Sequence, residues 1–197
     1  AILQAWYPGE EGGTAIAQTL DGTNNPSGRL PITIYTGLDQ LPEFTDYSMA
    51  RRTYRYFDGQ PLFPFGHGLS YSTFAYSDLK VPATIEAGEP LQVETLVANT
   101  GAREGDEVVQ VYLTFPKLPG APLRALRGFT RVHLKPGERQ TVRFTLNDRD
   151  LSQVSPDGVH LVRSGKYRIS VGGGQPDTGA PVVTGTFDIT GERTLPR

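Results

Sequence analysis

From Tyr76 onward the chain repeats one local rule. Runs of seven to eleven residues, in which apolar and polar side chains take turns, are broken by short clusters of Gly, Pro and Asn. The runs are YSDLKVP, PLQVETLVAN, EVVQVYLTF, RALRGFTRVHL, RQTVRFTL, GKYRISVGG and PVVTGTFDI. A period of two places alternate residues on opposite faces of a strand. Val93, Thr95 and Val97 thus share a face, with Glu94 and Leu96 on the other; Val142, Phe144 and Leu146 alternate with Arg143 and Thr145. The breaks are Glu86-Ala87-Gly88-Glu89-Pro90, Asn99-Thr100-Gly101, Lys135-Pro136-Gly137, Ser164-Gly165 and Gly172 to Gly174. Seven strands at this spacing predict a β-sandwich over residues 76–197. Both faces of these runs carry some apolar residues, so the sandwich is expected to pack against the segment before it.

That segment follows another rule. Residues 1–7, AILQAWY, read as a short buried strand ended by Pro8-Gly9. Ala15, Ile16, Ala17, Thr19 and Leu20 then predict a short helix with one apolar face, and Gly22 is a natural stop. Glu10 and Glu11 are expected in its first turn, at the positive end of the helix dipole. Asn24-Asn25-Pro26-Ser27-Gly28 reads as a loop leading into a strand from Leu30 to Tyr35. Strand, helix, strand is an α/β order. One helix cannot cover a parallel sheet, so residues 1–36 are expected to be the C-terminal fragment of an α/β domain whose remaining elements lie upstream. Residues 37–75, rich in Tyr, Phe, Pro and Gly, read as an ordered connector that lays aromatic rings against a neighbouring surface.

Composition narrows the function. The 197 residues carry a net charge of −2, which offers no general attraction for nucleic acid or anionic lipid. No apolar run is long enough to span a bilayer. With no cysteine there is no disulfide, thiolate metal site or Cys nucleophile. This leaves the compartment open.

Four stretches taken in order resemble the C-terminal part of a glycoside hydrolase family 3 enzyme of the β-glucosidase/β-xylosidase type. They are WYPGEEGGTAIAQTLDGTNNPSGRLPITIY, YRYFDGQPLFPFGHGLSYSTF, LRGFTRVHLKPGERQTVRFTLNDRDL and SGKYRISVGG. The resemblance implies a mainly β chain: a fibronectin type III-like, immunoglobulin-like β-sandwich preceded by the end of an α/β sandwich domain and the aromatic connector. It also implies a parent that is a retaining, exo-acting hydrolase, periplasmic or secreted, acting on terminal β-linked glucose or xylose. Retention needs two opposed carboxylates, one to attack the anomeric carbon and one to protonate the leaving oxygen. In the family the nucleophile is an Asp of a preceding (β/α)8-type barrel, and the acid/base, often a Glu, lies upstream of the motifs present here. No catalytic residue of this chain is therefore assigned. The implied partners are the upstream catalytic domains and, through them, a β-linked oligosaccharide; no nucleic acid, membrane, metal or cofactor is expected.

The candidate substrate contacts are Trp6, Glu10 and Glu11, with Tyr7 beside them. Against a sugar role stand core packing for the rings and stabilisation of the helix end for the acids. Arg51, Arg52 and Arg55, interleaved with Tyr47, Tyr54 and Tyr56, read as arginines stacked on tyrosines at a domain junction. His67, His133 and His160 lack a partner at ligand spacing and read as structural hydrogen-bonding groups. Asp148, Asp150 and Asp157 read as turn residues, and Gly172-Gly173-Gly174 as a turn without the Lys-Ser/Thr of a phosphate loop. No Gly-x-Ser-x-Gly elbow occurs. Two alternatives remain. A stand-alone carbohydrate- or surface-binding module would need an exposed aromatic row, for which Tyr112, Phe115 and Phe129 are the candidates. A self-sufficient hydrolase would have to use Glu10 or Glu11, but adjacent residues at a helix start do not face each other across the roughly 5 Å that retention requires.

Overall fold

The computed structural model describes residues 2–117, 120–155 and 157–196. All seven expected strands form. In chain order they are β1 (Phe74–Lys80), β3 (Leu91–Asn99), β4 (Gly105–Thr114), β5 (Ala125–Leu134), β6 (Arg139–Leu146), β9 (Gly165–Gly172) and β10 (Val182–Thr190). Four shorter strands complete the set: β2 (Thr84–Glu86), β7 (Gln153–Val154), β8 (His160–Val162) and β11 (Arg193–Leu195).

Two sheets build the sandwich. One has the order β1-β3-β6; the other has the order β2-β10-β9-β4-β5. Pairing is antiparallel throughout except for β2, which runs parallel to β10. A small third sheet, β11-β8-β7, sits beside a single helical turn at Asp148–Leu151. The alternation in β3 holds: Leu91, Val93, Thr95, Val97 and Asn99 are all buried. Thr95 is tolerated there because its hydroxyl donates to the Ser77 carbonyl at 2.9 Å. Facing residues of both sheets form one core, with Val93, Val97, Val109, Val111, Leu113, Ile169 and Val171 among its members. Each such side chain contributes about 1.5–3 kcal/mol of burial. Tyr167 stacks on Phe187 at 5.4 Å and meets Phe115 edge-on at 6.0 Å.

The helix also forms, as α1 (Gly12–Asp21), and ends as expected at Gly22, whose φ of 84° is the left-handed cap that glycine adopts without strain. Three local expectations change. Residues 2–7 form no strand, since among the described residues no segment pairs with them to complete a ladder. Glu11 takes the N-cap position, so both acids precede the first turn instead of lying in it. Leu30–Tyr35 does not resume a parallel sheet. It runs as a short antiparallel ribbon with the connector: Leu30 N donates to His67 O (2.8 Å), Gly66 N to Leu30 O (2.7 Å), and Ile34 bridges Phe63. Its backbone groups at Leu30 and Ile34 thus find partners within the chain. The connector holds a 3-10 turn (Leu38–Gln40) and one short helix, α2 (Thr53–Tyr56).

Candidate functional site

A heavily bonded polar region lies where the loop after α1 meets the sandwich. Asn25 opens it. Its Nδ2 donates to Ser72 Oγ (2.9 Å) and Glu104 O (2.8 Å), while its Oδ1 accepts from Ser70 Oγ and Tyr71 N, both 2.9 Å. Four residues on, Arg29 reaches into the sandwich. Its NH2 group lies 2.7 Å from Glu107 Oε2; the Arg29 side chain is 10% exposed and that of Glu107 2%. The Tyr76 hydroxyl donates to the other carboxylate oxygen at 2.7 Å. Arg29 Nε donates to Gly173 O (3.1 Å), and its NH1 to Ser27 O (3.1 Å) and Gly28 O (3.2 Å). The guanidinium fork is thereby spread over three segments of chain.

Behind this pair Gln110 extends the network. Its Nε2 donates to Gly66 O (3.2 Å) and Gly173 O (3.1 Å), and its Oε1 accepts from the Tyr112 hydroxyl at 2.6 Å. Backbones approach closely here. A Cβ on Gly66 would strike Gln110 and Tyr112, one on Gly173 would strike the Glu107 carboxylate, and one on Gly68 would strike Gly28 O. The glycine run at 172–174 is accordingly more than a turn: it admits the Arg29–Glu107 pair. Burial raises the Glu107 carboxyl above its usual range, with the neighbouring guanidinium and the Tyr76 hydroxyl pulling against it. Burial and the adjacent carboxylate likewise raise the Tyr76 phenol.

Two further contacts secure the same seam. The Tyr71 hydroxyl donates to Thr19 O (2.6 Å) near the end of α1, and the Arg103 guanidinium lies 5.4 Å from the Tyr71 ring centre while bonding Gly22 O. On the connector, Tyr54 stacks on Phe65 (ring centres 4.1 Å apart), meets Tyr112 edge-on, and accepts a hydrogen bond from Leu126 N at 3.1 Å. Arg55 lies 5.7 Å from the Tyr56 ring centre, as the interleaving of Arg and Tyr predicts. Arg52 instead binds backbone carbonyls, and Tyr47 is exposed.

The sequence candidates lie elsewhere. Trp6 is half exposed with a left-handed φ of 55°, Tyr7 is fully exposed, and Glu10 and Glu11 stand side by side in solvent. None joins the Arg29–Glu107 network. His67 stacks on Phe63 at 5.3 Å, and burial beside Arg29 lowers its pKa. His133 meets Asp106 at 2.7 Å, and His160 approaches Ser152 Oγ at 3.4 Å. Asp150 closes a capping box with Asn147, and Asp148 pairs with Arg193 at 3.2 Å. Asp157 is exposed. Among the described residues no group of three or more His, Cys, Asp or Glu is placed to hold a metal.

Tyr112 and Phe115 are buried, which leaves Phe129, 70% exposed, as a lone ring. It borders an apolar groove of about 260 Å³ with Leu30, Pro31, Phe65 and Leu126. One ring is not a row, so the aromatic platform of a binding module does not assemble from these three.

Chemically the seam holds two parts in register. Both Glu107 oxygens are engaged and shielded, so this carboxylate is no acid or nucleophile for an incoming sugar. Reasoning from sequence missed Arg29, Tyr76, Glu107 and Gln110. The available signal was Glu107 and Gln110 interrupting the otherwise apolar run EVVQVYLTF.

Residues 1–71 match the glycosyl hydrolase family 3 C-terminal domain, and residues 107–175 the fibronectin type III-like domain. The chain is 45% identical over 173 residues to a xylan 1,4-beta-xylosidase of Xylanibacter ruminicola, a match covering 87% of this chain and 20% of that protein. It is 36% identical to a periplasmic beta-glucosidase of Salmonella typhimurium, covering 96% of this chain and 26% of that one. Beta-glucosidase 3B from Thermotoga neapolitana, solved in complex with α-D-glucose, superposes with a TM-score of 0.84 at 34% identity, over 96% of this chain and 28% of that one. The chain thus spans about a fifth to a quarter of the length of the relatives it matches. By its sequence, its sandwich and the order of its parts, it belongs to glycoside hydrolase family 3 and corresponds to the C-terminal part of that family's members.

Proposed function

We propose that this chain is the accessory, scaffolding portion of a retaining, exo-acting β-glycosidase that removes terminal β-D-glucosyl or β-D-xylosyl residues, with both catalytic carboxylates in upstream sequence. The observation that carries this reading is the two-sidedness of residues 2–36. One side is welded to the sandwich by Asn25 and Arg29, while Ile2, Leu3, Trp6, Tyr7 and Leu20 are left exposed. So many large apolar side chains exposed within one short segment suit a surface that another body covers. The names of the relatives, xylosidase and glucosidase, support the substrate class.

On this reading residues 1–36 end an α/β sandwich domain, residues 37–75 connect, and residues 76–197 are the fibronectin type III-like domain. The partners are the upstream catalytic domains, covalent or as a separate chain, and the β-linked oligosaccharide they hold. Trp6, Glu10 and Glu11 lie on the open side, where they can line that substrate's site.

The test is hydrolysis of aryl β-glucosides and β-xylosides by this chain alone and by the chain joined to the polypeptide encoded upstream of it. Turnover is expected only from the joined form. Turnover by the chain alone, abolished by Glu10→Gln or Glu11→Gln, would refute the proposal.

A further inference from the structure

Residues 43–53 of the connector form a loop closed from within by one side chain. The Arg52 guanidinium donates to the carbonyls of Ser48 (3.2 Å), Glu43 (3.2 Å) and Asp46 (2.6 Å). Asp46 Oδ1 accepts from Ser48 N at 2.8 Å, and Arg52 N donates to Met49 O at 3.1 Å. The base is pinned as well, since Thr53 N donates to the Tyr35 hydroxyl at 2.8 Å. Arg51 and Thr53 both hold a φ of 57°. That region is unfavourable for a β-branched residue such as Thr and persists only where surrounding bonds over-determine the backbone.

This fixed loop holds out rings that no described residue covers. Phe44 and Tyr47 are each 91% exposed, and Met49 is half exposed. Aromatics and Met are the residue types enriched at the core of protein interfaces. A loop already held in one conformation loses less freedom when it docks.

We infer that the loop 43–53 is a preformed plug whose Phe44 and Tyr47 seat in apolar recesses of the upstream catalytic part of the same enzyme. The inference rests on the proposed function above, in which that part exists. The occupant follows from the relatives, in which the matched region makes up only 20–28% of the protein. It follows also from position: the plug lies between Tyr35 and Tyr54, within the residues that match the glycosyl hydrolase family 3 C-terminal domain, and α2 behind it is already anchored to β5 through Tyr54. Arg52 is a positioning residue that touches no partner and holds the loop in its docking shape.

The experiment measures association of this chain with the separately produced polypeptide encoded upstream of Ala1, by calorimetric titration. Phe44→Ser and Tyr47→Ser are each expected to weaken association about 10- to 100-fold, as a buried aromatic anchor does, and to leave the melting temperature of the free chain unchanged. Val154→Ser, an exposed apolar position on β7, is expected to change neither. Arg52→Met is expected to weaken association and to speed amide exchange across residues 43–53, which a role in direct contact would not do. Equal affinity of the wild type, Phe44→Ser and Tyr47→Ser forms would overturn the plug and leave the proposed function standing. No binding by the wild-type chain would overturn both.

Discussion

Replacing Arg29 by Met removes the cation and leaves its carboxylate partner in place. Glu107 is 2% exposed and would keep only the Tyr76 hydroxyl. Removing one member of a buried pair costs about 3–5 kcal/mol, because the remaining charge is shielded from water and has lost its countercharge. At about 2–4 °C per kcal/mol for a chain of this size, the melting point is expected to fall by about 6–20 °C. The double variant Arg29→Met/Glu107→Gln also removes the stranded charge and should recover at least ~1 kcal/mol relative to Arg29→Met, a coupling that independent sites lack. The pH dependence gives a second handle. Burial raises the folded-state value of Glu107 above the ordinary 4.5, so between the two values the folded state binds the proton more tightly than the unfolded state does. Stability from this group therefore falls as pH rises through that window. Without Arg29 the window widens upward, and the deficit of Arg29→Met should shrink as pH is lowered toward 4.5. Thermal melts of the wild type, both single variants and the double variant across that range decide it. Strictly additive losses, or a deficit indifferent to pH, would refute the view that this pair governs the seam.

Two further outcomes follow from local geometry. Gly173→Ala pushes a methyl group into the Glu107 carboxylate and should cost about 1–3 kcal/mol in urea denaturation; Gly13→Ala, in α1 with open space around it, should stabilise by at most about 1 kcal/mol. Asp177 accepts a two-pronged bond from Arg168 (3.0 and 3.1 Å), which holds its carboxyl below the usual range. The stability it contributes is present above 3.8 and is lost as pH falls through the lowered folded value, so Asp177→Asn should flatten the acid limb of a pH–stability curve without changing the plateau slope above pH 5.

What sequence could show depended on how far apart the interacting residues lie. The seven long strands were legible because alternation and Gly/Pro punctuation are local signals, and β3 buries every second residue as its pattern implies. Strands β7, β8 and β11, of two or three residues, are too short to display a period. The segments 2–7 and 30–35 carry strand-like composition, but a strand is defined by its neighbour. The first finds none among the described residues, and the second finds residues 63–67, which read as irregular connector. The seam was illegible for the same reason. Arg29 and Glu107 are 78 positions apart, and no pattern within either stretch announces the other. The candidates Trp6, Glu10 and Glu11 were selected by residue type alone; the structure adds only that they face solvent.

The seam also dictates where this molecule can be cut and grafted. A chimera joined at Phe74, where the sandwich begins, would part Arg29 from Glu107 and Gly66 from Gln110, exposing a raw surface of mismatched polar groups on each fragment. A junction placed ahead of α1 transplants guanidinium, carboxylate and glycine cradle together, with the bonds from Tyr71 to Thr19 and from Arg103 to Gly22. For anyone exchanging sandwiches between members of the family, the transferable piece is therefore larger than the sandwich by some sixty residues.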